Sequence, residues 1–317
     1  MTVTIRRAPV RRALSVAVRY KPLGRIDQEL VLEGTHHDPR VLRKLLIDLF
    51  GYREQDIRIL MDDDSGQHMC PTKKNIIKSM HELVADAQPG DHFVFHFSGH
   101  GSQVRNLDGT EKDGMDEVIW PFDIQYRSDE DCDNYIIDDL IHDILVKHIP
   151  AGAHFMMVFD CCHSGTAADL PYTSDECESL ASPVSMYKPQ FDRLKSIRLA
   201  GTDHEASRLG QHKSIRDKVH VPHTVDVTSW SACEDDQVTY GDKKHGGLFV
   251  YALNKALRAN PTATHAEVFH SVRHIIKNIV AGINRRRPER HYAIPSPELC
   301  AEEELDSIAD APVIDNV

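Results

Sequence analysis

The feature that most limits how this chain can fold is the alternation of short apolar runs with amphipathic stretches. Apolar runs typical of buried strands lie at residues 13–19, 57–61, 92–98 and 154–160. Apolar residues with a helical period of about 3.6 recur between them. The intervening helices are predicted from Asp38-Pro39 to Gly51, from about 71 to 87, and from about 138 to 148. Strands that alternate with helices predict an α/β fold built on a mostly parallel sheet.

In the second half of the chain, the apolar periodicity is lost over a long segment and then resumes. From about 171 to 226 the periodicity disappears, which is typical of a long exposed connection. A strand at 225–232 and helices at 248–257 and 264–283 follow, the last opened by a Thr264–Glu267 capping box. We therefore predict a larger region at 1–170, an exposed linker at 171–226, and a smaller region at 227–317 that completes the same domain.

Composition excludes several classes of protein. A net charge of -12 disfavours binding to nucleic acid, because phosphate recognition needs clustered Lys and Arg. No apolar run approaches the roughly 18–20 residues of a membrane span, and the N-terminus lacks the apolar stretch of a secretory signal. Seven cysteines without framework spacing favour free thiols over a disulfide scaffold. We expect a cytoplasmic protein, with the nucleus as a second possible location.

Reactive side chains follow two of the apolar strands. One strand ends in HFSGHG, residues 96–101, and another ends in DCCHSG, residues 160–165. Because the carboxyl ends of parallel strands meet at one edge of a sheet, a thiol and the His100 imidazole are expected to lie close together. A cysteine nucleophile needs such a base. The N–H groups of Gly101 and of the nucleophile itself would form an oxyanion hole. Strand alternation allows only one of Cys161 and Cys162 to face the cleft.

Each half of this pair also has a less specific interpretation. A buried cysteine is commonly a small apolar core residue, and a lone histidine is commonly a hydrogen-bonded polar residue. The two motifs together are far more specific than either alone.

HFSGHG and DCCHSG resemble the two signature blocks of the metacaspases, a family in the caspase-like clan of cysteine peptidases. The resemblance extends over residues 13–300. It includes WPFD (120–123), IIDD (136–139), DLPY (169–172), SACEDDQVTY (231–240) and GGLFVYAL (246–253). It implies a caspase-like fold with helices on both faces of the sheet, cysteine endopeptidase activity, and Cys162 as the nucleophile. It also implies a monomer.

The resemblance further implies cleavage after Arg or Lys. Asp160 and Ser98 match positions of the family's pocket for the basic side chain. Asp38 matches a third, although the family pattern G-C-x-N-D reads here as GTHHD, with Thr35 and His37 substituted. Buried carboxylates are the natural partners of a guanidinium group. Asp38 could also cap the helix that follows it.

Calcium is the cofactor that the resemblance implies. Four carboxylates match the family's Ca²⁺ site, and they are Asp116, Asp138, Asp139 and Asp169. The first three lie in a region, 108–143, that is rich in Asp and Glu and whose only Lys and Arg are Lys112 and Arg127. The alternative is that Asp138 and Asp139 start a helix, where carboxylates favour the N-terminal dipole. Calcium is expected to activate the enzyme by ordering the loop after Cys162.

The predicted linker could be a site of calcium-triggered self-cleavage. It holds eight basic residues, which are Lys188, Arg193, Lys195, Arg198, Arg208, Lys213, Arg216 and Lys218. The alternative is a flexible loop that any protease can cut. Two further hypotheses for function remain. One is a caspase-fold protein with a non-proteolytic role in aggregate handling or scaffolding, and the other is a peptidase of this fold that prefers Asp, against which Asp38 and Asp160 argue.

Overall fold

The computed structural model of the chain describes most of the sequence outside the predicted linker. The described residues are 7–107, 109, 114–128, 131–162, 164–174, 177, 180, 198–199, 226–234, 237, 239–242, 245–287, 289 and 291–314. Most of the linker predicted at 171–226 lies outside them. The self-cleavage prediction therefore stays a prediction, as do the region boundaries.

The secondary structure alternates as the sequence predicts. The strands are β1 (Arg11–Ala17), β2 (Ile57–Met61), β3 (His92–Ser98), β4 (Gly101–Arg105), β5 (Met115–Ile119), β6 (Gln125–Ser128), β7 (Asp131–Asp133), β8 (Ile136–Ile137), β9 (His154–Asp160), β10 (Tyr172–Thr173), β11 (Arg198–Leu199), β12 (Asp226–Ser231), β13 (Gly241–Asp242), β14 (Gly246–Gly247) and β15 (Glu298–Ala301). The α-helices are α1 (Asp38–Phe50), α2 (Lys73–Val84), α3 (Asp138–Leu145), α4 (Leu248–Ala259), α5 (His265–Arg286) and α6 (Leu305–Ile308). Short 3-10 helices span Lys21–Arg25, Gln28–Leu30, Thr35–His37 and Glu54–Asp56.

Seven of these strands form one central sheet in the order β10-β15-β12-β9-β3-β1-β2. The pairs from β2 across to β12 are parallel, and β15 and β10 are added antiparallel at one edge. A second, smaller sheet has the order β11-β4-β5-β8. The sheet is therefore mostly parallel, and its reactive loops emerge from the carboxyl ends of β3 and β9.

Helices cover both faces of the central sheet. On one face, α2 and α3 pack against the phenylalanines of β3, whose side chains point to that side. On the other face, α1, α4 and α5 pack against Val94 and against Trp230 of β12. The alternation along β3 places successive residues in the two separate cores. This arrangement confirms the predicted caspase-like α/β fold class with helices on both faces.

Several predicted boundaries agree with the structure to within a few residues. α5 begins after Thr264, whose hydroxyl accepts from the Glu267 N–H while the Glu267 carboxylate accepts from the Thr264 N–H. The sequence analysis did not predict β4, β5 and β15, because these strands are short and β4 and β5 carry polar residues without a two-residue apolar period. No helix in the described part of the chain combines the length and the apolar character that crossing a membrane requires.

Candidate active site

The predicted nucleophile and base lie at neighbouring strand ends. β3 and β9 pair in parallel with Ser98 opposite Asp160, so His100 and Cys162 each follow two residues later. The two loops approach closely, because a Cβ atom at Gly101 would overlap the Cys162 carbonyl oxygen and lie 3.3 Å from the Cys161 sulfur. Among the described residues, no hydrogen bond joins the Cys162 thiol to the His100 ring. Such bonds commonly tighten only when substrate is bound.

The backbone fixes the orientation of the His100 ring. Its Nε2 lies 2.9 Å from the Leu30 carbonyl oxygen, and its main-chain N–H donates to the Tyr20 hydroxyl at 3.0 Å. The ring lies against Tyr20 and Trp120, with centroids 4.8 Å and 5.2 Å away. A carbonyl can only accept, so Nε2 carries the proton and Nδ1 is the acceptor. Burial lowers the pKa of His100 to about 4, so the imidazole is neutral near pH 7.

Cys161 and Cys162 have different environments. Cys161 is 1% exposed and belongs to the core, whereas Cys162 is half-buried. Burial raises the pKa of Cys162 to about 11, a hydrogen bond from the Thr239 main chain lowers it, and the Asp160 carboxylate raises it. Without substrate the site therefore holds a neutral thiol beside a neutral imidazole.

The three residues predicted to bind a basic side chain lie together. Asp38 is fully buried, and its carboxylate accepts from the Ser98 hydroxyl at 2.6 Å and from the Gly247 N–H at 2.9 Å. Asp160 accepts from the Val250 N–H at 2.9 Å, in the first turn of α4. We call Asp38, Ser98 and Asp160 the acidic pocket.

The helix-cap interpretation of Asp38 is wrong. Asp38 is the first residue of α1, the cap position is His37, and no side chain caps this helix. The Asp38 carboxylate instead points away from α1 toward β3 and the Gly246–Gly247 segment, because Ser98 and Gly247 satisfy both of its oxygens.

Two glycines lie against the two carboxylates of the acidic pocket. A Cβ atom at Gly246 would overlap the Asp38 carboxylate, and one at Gly247 would overlap the Asp160 carboxylate. Gly246 also has a φ of 81°, which a residue with a side chain rarely adopts. We call this Gly246–Gly247 segment the glycine strap.

Burial raises the pKa values of both carboxylates in the acidic pocket. Burial raises the pKa of Asp38 well above its usual range, and the neighbouring Asp160 raises it further. Burial also raises the pKa of Asp160 to about 6, against the hydrogen bonds from α4 and Thr239 that lower it. Two carboxylates that resist ionisation side by side would both ionise readily next to a guanidinium or ammonium group.

The predicted calcium ligands are only partly brought together. Asp138, the first residue of α3, accepts from the Glu117 N–H at 3.0 Å and the Asp139 N–H at 2.7 Å. Burial raises its pKa to about 10, and the carboxylates of Glu117 and Asp116 raise it too. Asp169 lies in the loop after β9, with a φ of 46°. Within the described ranges, no three His, Cys, Asp or Glu side chains are placed to hold a metal ion.

The structure agrees with the alternative interpretation in which Asp138 and Asp139 start a helix, because α3 begins at Asp138. Asp138 and Asp139 both lie in its first turn, where carboxylates interact favourably with the helix dipole. The oxygen donors present are of the kind that calcium prefers, and burial and the nearby carboxylates of Glu117 and Asp116 raise the pKa of Asp138. The residues thus fit a calcium ion in chemistry. The site itself stays a prediction.

Sequence reasoning missed several residues that shape the site. Tyr20 and the Leu30 carbonyl orient His100, Thr239 contacts Cys162, and Glu117 joins the acidic edge. Thr239 lies in the SACEDDQVTY block and Glu117 in the acidic region 108–143, but neither position shows on its own what the side chain or main chain contacts. Tyr20 follows β1 in a left-handed backbone conformation with φ 56°, and Leu30 acts through its main chain.

A mostly parallel sheet with helices on both faces, carrying a thiol and an imidazole on adjacent strand ends, defines a protein of the caspase-like class. The protein-family model described as "Metacaspase, peptidase C14 domain" matches residues 11–171 of the chain. Metacaspase-1 of Pyricularia oryzae is 35% identical over 282 residues, which cover 84% of this chain and 68% of that protein. Metacaspase-1 of Schizosaccharomyces pombe is 32% identical over 285 residues, which cover 84% of this chain and 64% of that protein. The chain belongs to the metacaspase family, and it spans about two thirds of the length of these relatives.

Solved structures agree at the level of the fold. Protein GSU0716 from Geobacter sulfurreducens superimposes with a TM-score of 0.58 at 16% identity, over 98% of this chain and 100% of that one. Caspase-1 from Spodoptera frugiperda gives a TM-score of 0.50 at 11% identity, over 95% and 93% of the two chains.

Proposed function

We propose that the protein is a cysteine endopeptidase that cleaves peptide bonds after Arg or Lys. The observation that supports this proposal is that the acidic pocket lies at the ends of the two strands that lead to the thiol and the imidazole. Asp160 ends the strand that presents Cys162, and Ser98 ends the strand that presents His100. A basic side chain in this pocket would hold its own carbonyl carbon near the Cys162 sulfur.

The chemistry follows from the protonation states. Nδ1 of His100 accepts the Cys162 proton as the sulfur attacks the carbonyl carbon. The tetrahedral oxyanion then accepts hydrogen bonds from the N–H groups of Gly101 and Cys162. The amine leaves with the proton from His100, and water hydrolyses the resulting thioester by the same route in reverse.

Fluorogenic peptides that differ only at the residue before the reporter test this proposal. Wild-type protein is expected to cleave after Arg and Lys but not after Asp, and Cys162→Ala to be inactive. Cys132→Ala, which changes a buried cysteine outside the site, is the control and should keep its activity. Cleavage by Cys162→Ala would contradict the proposal. Inactivity of all forms on every peptide would favour the non-proteolytic alternative.

Binding of a small cation tests the acidic pocket without any cleavage of substrate. Benzamidine, a small amidinium compound, should bind to Cys162→Ala and release protons near pH 6, because the cation lowers the raised pKa values of Asp38 and Asp160. Calorimetry in buffers of different ionisation enthalpy measures the release. Asp160→Asn should bind at least about tenfold more weakly. Equal binding by both forms would argue against the basic preference.

We further propose that Ca²⁺ binds at the acidic edge, where Asp116, Asp138, Asp139 and Asp169 would supply its oxygen ligands. The ion would supply positive charge next to Asp138, whose pKa is raised by burial and by Glu117 and Asp116. Millimolar Ca²⁺ should raise the melting temperature of wild-type protein, and Mg²⁺ should do so less.

Two variants control the calcium test. Asp138→Asn should lose the calcium-dependent shift, whereas Asp143→Asn, on the exposed side of the same helix, should keep it. An unchanged melting temperature in Ca²⁺ and in chelator would remove the calcium proposal while leaving the peptidase proposal intact.

A further inference from the structure

A cavity of about 300 Å³ lies on the side of α4 and α5 next to the glycine strap. Its apolar walls are Leu248 and Tyr251 of α4 and Ile279 and Ile283 of α5. All four are half-buried, so their side chains pack on one side and face open space on the other. A cavity of this size and character is in the range of sites that hold organic ligands.

The glycine strap, which borders the acidic pocket, also lines this cavity. Gly246 and Gly247 line it, and they are the residues whose other sides contact Asp38 and Asp160. Tyr240 lines it as well, and its carbonyl accepts from the Leu248 N–H at 2.8 Å. The cavity and the acidic pocket are therefore neighbours that share one wall.

Tyr240 also links the cavity to the nucleophile. It follows Thr239, whose main chain hydrogen-bonds the Cys162 sulfur. Burial and the nearby Cys162 raise the pKa of Tyr240. A peptide bound at Cys162 thus has this cavity beside it.

We propose that the cavity is a second side-chain subsite, which takes a large apolar or aromatic residue of the substrate on the N-terminal side of the cleaved bond. This inference rests on the proposed peptidase function. The cavity shares the glycine strap with the acidic pocket, so the peptide half that carries the basic residue is the half that reaches it. That half also stays attached to Cys162 as the acyl group.

The lining decides against other side chains. Among the described residues, Arg286 and His245 are the charged and titratable residues at the cavity besides Tyr240 and Tyr251, and none of its described lining residues is a carboxylate. A second basic side chain would meet Arg286 without a counter-charge, whereas aliphatic or aromatic groups would cover Leu248, Ile279 and Ile283. The two neighbouring pockets therefore have opposite preferences.

Peptide binding to Cys162→Ala tests the subsite without relying on cleavage. Peptides that end in Arg would carry Ala, Leu, Phe or Lys at each of the three preceding positions, and fluorescence anisotropy would give their dissociation constants. At one of these positions Phe or Leu is expected to bind at least about tenfold more tightly than Ala, and Lys no more tightly than Ala. Equal affinity for Ala, Leu and Phe at all three positions would overturn the subsite.

Three variants assign the effect to this cavity. Ile279→Trp, which fills it, should reduce the affinity for the Phe peptide to that for the Ala peptide. Lys277→Trp, on the exposed side of the same helix, should retain the preference. Ile279→Ala, which enlarges the cavity without crowding it, should weaken Leu binding and checks for misfolding of the first variant. A preference that survives Ile279→Trp would overturn the assignment.

The outcome is separable from that of the proposed function. Wild-type protein that cleaves no peptide, while Cys162→Ala binds Phe peptides selectively, would remove the peptidase proposal and keep the subsite. Cleavage after Arg without any apolar preference in binding would keep the peptidase and remove the subsite.

Discussion

At the scale of single residues, burial shifts the two groups that would exchange a proton in opposite directions. It raises the pKa of Cys162 to about 11 and lowers that of His100 to about 4. Proton transfer from thiol to imidazole is therefore unfavourable in the free protein. The substrate has to supply part of the driving force, because the sulfur forms its new bond as the proton leaves.

This pair of shifts predicts how Cys162 reacts with iodoacetamide. The thiolate is the reacting form, so the alkylation rate should rise about tenfold per pH unit through neutral pH and level off only near pH 11. Mass spectrometry of the modified peptide measures the rate at Cys162 alone. A plateau already at pH 7 would show that a thiolate–imidazolium pair exists before substrate binds.

The Tyr20 hydroxyl is predicted to be a positioning group for His100. It accepts from the His100 N–H and donates to the Trp120 carbonyl oxygen at 2.6 Å. Tyr20→Phe leaves both groups without this partner, at a cost of about 1–3 kcal/mol. The kcat for an Arg peptide should fall about tenfold with little change in KM, since the acidic pocket is untouched. Tyr52→Phe, in a buried tyrosine at the other end of the sheet, is the control.

A rise in KM by the same factor as the fall in kcat would instead mean that Tyr20 only supports the fold. The pH profile distinguishes the two cases as well. If the hydroxyl positions His100, the acid limb near pH 4 should shift in Tyr20→Phe, because the ring is then held less firmly in its buried position.

Residue patterns could predict which side chains meet, but not how they are held. Asp38, Ser98 and Asp160 are at least 60 positions apart from one another in the sequence, yet the family resemblance names all three, and the structure joins Ser98 to Asp38. The resemblance could not reveal Tyr20 or the Leu30 carbonyl. Their roles depend on the path of the loop after β1, for which the sequence has no periodic signal.

At the scale of elements, the glycine strap links α4 to the acidic pocket. It forms β14, pairs with β13, and leads directly into α4, whose first turn donates to Asp160. Both carboxylates can lie against the strap because neither glycine has a side chain. The strap thus connects the acidic pocket to the first turn of α4, whose Val250 N–H donates to Asp160.

Gly247→Ala is predicted to damage the acidic pocket selectively. The new methyl group would overlap the Asp160 carboxylate, so the free energy of unfolding should fall by about 1–3 kcal/mol and benzamidine binding by at least about tenfold. Gly282→Ala is the matched control, since its methyl group would meet only the ends of Arg285 and Arg286. In the α5 interior it should raise stability by about 0.5–1 kcal/mol. Urea unfolding of both variants measures the contrast, and equal effects would contradict it.

Elements with a strong periodic signal could be predicted, and those defined by pairing alone could not. β2, β3 and β9 begin and end where the apolar runs predict, and α5 begins at its capping box. By contrast, β13 and β14 are two residues each and exist only because they pair with one another. A sequence window has no access to such a partner.

At the scale of the whole molecule, the residues that follow the predicted linker are built into the centre of the sheet. β12 pairs with β9 on one side and with β15 on the other. Its Trp230 is fully buried and lies against His265 and Phe269 of α5. The two parts of the chain on either side of the linker therefore share one core.

This shared core predicts what self-cleavage would produce. Wild-type protein incubated with Ca²⁺ should yield two fragments that still co-elute in gel filtration, because β9 and β12 stay paired after the linker is cut. Cys162→Ala should remain one chain, and denaturing electrophoresis compares the two. Identical fragmentation of Cys162→Ala would mean that another protease cuts an exposed loop, and fragments that separate would contradict the shared core.

The hydrogen bond between His100, the general base, and the main chain at Leu30 affects which mutations the protein tolerates. The group that orients His100 is the carbonyl of Leu30, part of the main chain, so another apolar residue that fills the same buried space at position 30 would still provide it. Such substitutions should be neutral toward the imidazole. Inserting or deleting one residue between 21 and 34 would move that oxygen by a whole peptide unit, and this stretch is therefore expected to vary in sequence but not in length.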